Sequence, residues 1–233
     1  MPRRRLAGSG GFVFHVMNRS AKQLTLFDGP DDYRLFLRVL TEAQDVCPIR
    51  LLEYCVMPNH WHLLVWPDRD DQLSRYMRWI TGVHGQRWRR ARDLVGRGAV
   101  YQGRFRWVAV QDGQHYGIAR RYIRQNPVRA HLVERPEHWR WSSAYSYATD
   151  SCPRLASPPI DSHSASPVDD APLESRVVDE IRAGLKGSRP FGDPNWGATL
   201  EAQSWLTAVL SAHQNAEKPS ASQIIGKNEE SGS

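Results

Sequence analysis

Residues Ile49 to Trp66 read IRLLEYCVMPNHWHLLVW, and this stretch decides the fold. Ile49 to Met57 is rich in strand-forming residues, Pro58-Asn59 is a turn signal, and His60 to Trp66 is a second strand-forming run, stopped by Pro67. So short a connection predicts an antiparallel hairpin. Alternation along the second strand puts His60 and His62 on one face and Trp61 on the other.

Upstream, Phe12 to Asn18 (FVFHVMN) reads as another strand. A helical pattern follows from Asp31, with Tyr33, Leu35, Phe36, Val39 and Leu40 on or near one face, and Pro48 closes it. Downstream, Leu73, Met77 and Ile80 lie at helical spacing among many arginines, with Asp71 or Ser74 as the expected cap. Gly96 to Gly98 breaks that pattern. Arg104 to Gln111 alternates as a fourth strand, and Asp112 is the expected cap of a helix running to about Asn126, where Pro127 stops it. The order β-α-β-β-α-β plus a helix predicts an α+β, ferredoxin-like fold: a four-stranded antiparallel sheet with helices. The candidate tyrosine lies on the additional helix.

Residues 1–148 form the expected catalytic domain. Residues 149–172 are crowded with Ser, Pro and Asp and read as a linker. Residues 173–212 read as a helical appendage, with helices over Leu173 to Leu185 and Trp196 to Leu210, and 213–233 as a disordered tail.

Composition narrows the function. The chain has 233 residues, 31 Lys+Arg and 25 Asp+Glu, for a net charge of +6. That charge divides into +10 on residues 1–150 and −4 beyond. All but one of the basic residues in the first part are arginine, Lys22 being the exception. A high-GC genome, which favours Arg codons, explains Arg over Lys but not the asymmetry, which points to a polyanion, most often nucleic acid. No apolar stretch is long enough to span a membrane, and MPRRRLAGSGG lacks the apolar core of a secretory leader. Three cysteines without CxxC spacing fit neither a disulfide scaffold nor a zinc module, so the cytoplasm is the expected location.

Two features carry chemistry. Two imidazoles on one strand face can converge on a divalent metal, although such a pair by itself is better explained by chance spacing and hydrogen bonding within the sheet. Tyr122, in ARRYIRQNPVRA, lies one helical turn from Asn126, whose carbonyl oxygen suits magnesium or manganese. Arg120, Arg121, Arg124 and Arg129 surround it in sequence. On its own, this feature is better explained by a core-facing tyrosine flanked by solvated arginines. Taken together, His60, His62 and Asn126 are candidate metal ligands and Tyr122 a candidate nucleophile toward phosphorus. No GxxxxGK[ST] loop is present, which fits chemistry that stores bond energy in a phosphotyrosine.

The stretches YCVMPNHWHLLVWP (Tyr54 to Pro67), VYQGRFRW (Val100 to Trp107), YIRQNPVRAHLV (Tyr122 to Val133) and HWRWSSA (His138 to Ala144) follow FHVMNR (Phe14 to Arg19) in order. Together they resemble the REP-associated tyrosine transposases, a branch of the single-tyrosine HUH (His-hydrophobe-His), insertion-sequence-like transposases. RPFGDPNW (Arg189 to Trp196) resembles a downstream segment of the same family more weakly. The resemblance implies His60, His62 and Asn126 as metal ligands, Tyr122 as nucleophile and Mg²⁺ or Mn²⁺ as cofactor. It implies single-stranded DNA beside a palindromic hairpin as substrate, cleaved through a 5′-phosphotyrosine, by a monomer or homodimer.

For DNA contact, Arg104 and Arg106 are expected on one strand face, with Phe105 in the core. Arg120, Arg121 and Arg124 are expected beside the tyrosine, and Arg3, Arg4 and Arg5 on backbone phosphates. His15 is read as a sheet-packing residue or a DNA contact, and Trp139 and Trp141 as core or docking residues. Competing readings are a domesticated relative that moves no DNA, a non-catalytic hairpin-binding module, which would need exposed aromatics on the central strands, and a metal-dependent nuclease using water.

Overall fold

The computed structural model describes residues 10–149, 155–156 and 171–200. The predicted hairpin is β2 (Arg50–Met57) and β3 (His60–Trp66), joined by Pro58-Asn59. With β1 (Val13–Arg19) and β4 (Arg106–Val110) these strands form one antiparallel sheet in the order β2-β3-β1-β4, the ferredoxin-like order.

Alternation along the strands builds a core on each face. Phe14, Val16, Trp61, Leu63 and Val65 point to one side and pack against α1 (Pro30–Val46) and α2 (Gln72–Arg90). Tyr33, Phe36, Leu40 and Ala43 form the buried stripe of α1, and Leu73, Met77, Ile80, His84 and Trp88 that of α2. Val13, Leu52, Cys55, Leu64, Val108 and Val110 point the other way, toward α3 (Gln114–Arg124) and α6 (Ser175–Gly187).

The helix ends differ in detail from the sequence expectations. Pro30 begins α1 behind Gly29, with Asp31 and Asp32 in the first turn, where they favour the positive end of the helix dipole. Asp71 stands at the cap position of α2, but its carboxylate pairs with Arg75 at 3.3 Å, and Ser74 lies inside the helix. Asp112 does not cap α3. Gly113, at φ 72°, takes that position because the chain turns there through a conformation open to glycine. Pro127 ends α3 as expected, and a single further turn, α4 (Asn126–Arg129), follows.

One irregularity shapes the site. The β2–β3 register shifts between Leu51 and Glu53, so Leu52 and Glu53 both face the α3 side. Glu53 is fully buried there, against Arg120 Nε at 3.1 Å and Arg124 Nε at 3.2 Å, with the Ser143 hydroxyl donating to it. This cluster ties α3 to β2 and to α5 (Ser143–Thr149).

Later segments cover both sheet edges, which removes open pairing sites. Val56 N–H donates to the Trp141 carbonyl at 2.9 Å, and Trp139 Nε1 donates to the Val56 carbonyl at 2.9 Å. On β4, Phe191 N–H donates to the Ala109 carbonyl at 2.8 Å and Gln111 N–H donates to the Phe191 carbonyl at 2.9 Å. Trp141 also stacks on Tyr33, so both tryptophans serve docking. Helix α6 corresponds to the first appendage helix, and it lies directly on the sheet. A methyl group at Gly184 would stand 3.3 Å from Val108 Cγ2 and 3.2 Å from the Arg189 carbonyl. Residues 194–200 are helical and begin the second predicted helix. Most of 149–172, the rest of 173–212, and all of 213–233 lie outside the described residues.

Candidate active site

A cavity of about 430 Å³ opens on the α3 side of the sheet and gathers side chains from five parts of the chain. Strand β3 contributes His60 and His62, whose ring centres are 5.0 Å apart. Helices α3 and α4 contribute Tyr122, Asn126 and Arg129. Strands β1 and β4 add Arg19 and Arg106, and α6 adds Arg182. The described lining holds four arginines and no carboxylate, so it suits an anion.

Both histidines are held by Nδ1. His60 Nδ1 lies 2.7 Å from Asn59 Oδ1, and His62 Nδ1 lies 2.8 Å from His15 Nε2. Their Nε2 atoms have no hydrogen-bond partner among the described residues. Burial, reinforced by Arg19, pushes His60 down to about 4. Burial, then Arg129, pushes His15 down to about 3. Burial, followed by His15, His60 and Arg129, holds His62 well below its usual range. All three rings are therefore neutral at pH 7, the form in which imidazole binds a metal.

Tyr122 faces the histidines, with its ring centre 5.8 Å from that of His62 and 5.5 Å from that of His15. Its backbone is clamped from the next turn. Asn126 Nδ2 donates to the Tyr122 carbonyl at 3.0 Å, and Arg129 Nη2 donates to the same oxygen at 2.7 Å. The Arg129 guanidinium also stands 4.4 Å over the Tyr122 ring. Binding through Nδ2 leaves Asn126 Oδ1 without a partner among the described residues, on a residue that lines the cavity. Two neutral imidazoles with unengaged Nε2 atoms and one amide oxygen fit a divalent ion that completes its shell with water or phosphate oxygen. Among the described residues no three His, Cys, Asp or Glu side chains converge on such a point.

The arginines expected at the site fall in different places. Arg120 and Arg124 pair with buried Glu53, their side chains being 5% and 13% exposed, and this pairing holds α3 against β2. The physical reason is helical rotation: two residues from Tyr122 on either side, they turn away from its face. Arg121 is half-buried on α3 and does not line the cavity. Arg104 and Arg106 do not share a face, because β4 starts at Arg106. Arg106 enters the tyrosine cavity, whereas Arg104 and Phe105 line a separate cavity with Asn18 and Arg78. Arg3, Arg4 and Arg5 lie outside the described residues.

Sequence reasoning did not single out Asn59, Arg19 or Arg182 as site residues, nor His15 as a partner of His62. Asn59 was legible as the neighbour of His60. Arg19 was legible only through register, since it pairs directly with His60 across β1 and β3.

Residues 11–126 match the family model described as "Transposase IS200 like". Among solved structures, one titled "Structure of the REP associates tyrosine transposase bound to a REP hairpin" is 23% identical with a TM-score of 0.52. The match covers 71% of this chain and 96% of that one, and shows a shared fold. No curated protein matches. Among the described residues, no helix is long and apolar enough to cross a membrane.

Proposed function

We propose, from the premise that residues 11–126 belong to the IS200-like transposase family, that this chain cleaves and rejoins single-stranded DNA beside a hairpin through a tyrosine-linked intermediate. The observation that carries the reading is the single cavity holding Tyr122, His60 and His62 among four arginines with no carboxylate in its described lining.

The arginines supply a positive wall for a phosphodiester, and Arg129 and Asn126 hold the tyrosine backbone in place. The Tyr122 oxygen attacks phosphorus and loses its proton. The bond to the 3′ oxygen breaks, leaving a 3′-OH and a 5′-phosphate on the tyrosine. Attack by a 3′-OH on that phosphotyrosine reverses the step and joins strands without a nucleotide cofactor. His60 Nε2, His62 Nε2 and Asn126 Oδ1 would hold a Mg²⁺ or Mn²⁺ ion, which would supply positive charge to the phosphate and the departing oxygen.

A hairpin as partner is supported by what the solved relative's title says that protein binds. The non-catalytic reading needs exposed aromatics on the central strands. Here Phe14 and Trp61 are buried beneath α1 and α2, and half-buried Trp66 is covered by the Arg50 guanidinium 3.9 Å over its ring.

The test is incubation with labelled single-stranded hairpin DNA and Mn²⁺, followed by a denaturing gel. A protein-DNA band that survives denaturation, and that Tyr122→Phe abolishes while still binding hairpin, is the expected result. Free products alone indicate a water nuclease. Cleavage unchanged by Tyr122→Phe removes the assignment.

A further inference from the structure

We propose that His15 is the positioning residue of the histidine pair, setting the tautomer and ring plane that make His62 Nε2 a metal donor; this rests on the metal-binding reading above.

His15 and His62 lie 47 residues apart in sequence and on different strands, and their nitrogens approach to 2.8 Å. Both rings are buried, at 0% and 2% exposure, so water does not replace this bond. One proton occupies it, which leaves two arrangements. If His15 Nε2–H donates, His62 carries its proton on Nε2, and that atom cannot ligate a metal. If His62 Nδ1–H donates, its Nε2 presents a lone pair and the His15 proton moves to Nδ1.

His15 Nδ1 is itself buried with no hydrogen-bond partner among the described residues. In the first arrangement the unpaired donor is His62 Nε2–H, on a residue that lines the cavity, and in the second it is His15 Nδ1–H, sealed in the sheet, the costlier place to leave a donor. The metal-free protein therefore rests with His15 donating, and metal binding draws the pair into the second arrangement. His60 differs, because its partner Asn59 Oδ1 only accepts and already requires a proton on Nδ1. The two imidazoles are thus unequal: His60 is ready for metal, and His62 becomes ready through His15. Partners that orient a ligating imidazole typically change metal affinity by about 10- to 100-fold when lost.

The experiment uses the full chain and Mn²⁺ titration followed by electron paramagnetic resonance of the free ion. His15→Leu is expected to weaken Mn²⁺ binding about 10- to 100-fold, and His15→Gln, which can still accept from His62 Nδ1–H, to recover most of it. Nitrogen-15 spectra of the unmutated, histidine-labelled chain give a readout that does not depend on folding of a variant. His62 is expected as the Nε2–H form without metal and as the Nδ1–H form with diamagnetic Zn²⁺.

Binding of Mn²⁺ by His15→Leu within twofold of the unmutated chain overturns the role of His15 alone. So does a Zn²⁺-loaded spectrum in which His62 ligates through Nδ1. No Mn²⁺ binding by the unmutated chain overturns the metal reading itself, and the role of His15 with it.

Discussion

Replacing Glu53 with Gln tests how the tyrosine helix is held. Glu53 is fully buried and receives Arg120 Nε at 3.1 Å, Arg124 Nε at 3.2 Å and the Ser143 hydroxyl. A glutamine keeps the shape and one accepting oxygen, but it turns an amide nitrogen toward a guanidinium and removes the negative charge. Hydrogen bonds to charged groups are worth about 1.5–3 kcal/mol each, and breaking one member of a buried ion pair costs about 3–5 kcal/mol. The expected loss is therefore about 3–5 kcal/mol, which for a chain of this size lowers Tm by about 6–20 °C. Urea denaturation and calorimetry measure it. Arg124→Gln should also destabilise while leaving the salt dependence of DNA binding unchanged, because that guanidinium is turned to Glu53. A Glu53→Gln protein within about 1 kcal/mol of its parent would refute the reasoning. So would an Arg124→Gln protein of full stability whose DNA binding loses about 0.7 of salt slope, the share of one phosphate contact.

Arg129→Ala removes the bond to the Tyr122 carbonyl and the cation over its ring, so tyrosine adduct formation should fall about 100-fold with hairpin binding largely retained. Quantified adduct bands against binding isotherms separate the two. Burial lowers His15 and His84 to about 3 each, whereas an unfolded histidine titrates near 6.5. Between those values the unfolded chain binds more protons, so stability holds above about pH 6.5 and falls as pH drops toward 3. The slope approaches about 1.4 kcal/mol per pH unit for each histidine, and urea midpoints that stay flat from pH 7 to pH 5 would contradict it. Gly184→Val inserts a side chain where a methyl already meets Val108 and the Arg189 carbonyl, and should lift α6 from the sheet. Limited proteolysis should then cut within residues 175–187 faster than in the parent.

Much of this molecule was legible along the chain. Apolar runs punctuated by Pro58-Asn59 and Pro67 set the β2–β3 hairpin, and the period of two in His60-Trp61-His62 set which side chains share a face. The same alternation placed Trp61 in the α1–α2 core. Charge asymmetry marked residues 1–150 as the part suited to a polyanion. The arginines were where sequence order misled, because adjacency on a helix is separated by about 100° of rotation. Arg120 and Arg124 flank Tyr122 in sequence yet face Glu53, which a bulge in β2 turns toward α3. Arg129 stands seven residues on, past the Pro127 break, and returns over the tyrosine ring. Strand register likewise brought His15 to His62 and Arg19 to His60. Sequence determined the local periodicities and therefore the elements and their faces. Only tertiary structure decided the partners of each charge and imidazole, because those depend on register, bulges and helix rotation, and small shifts in any of them exchange one neighbour for another.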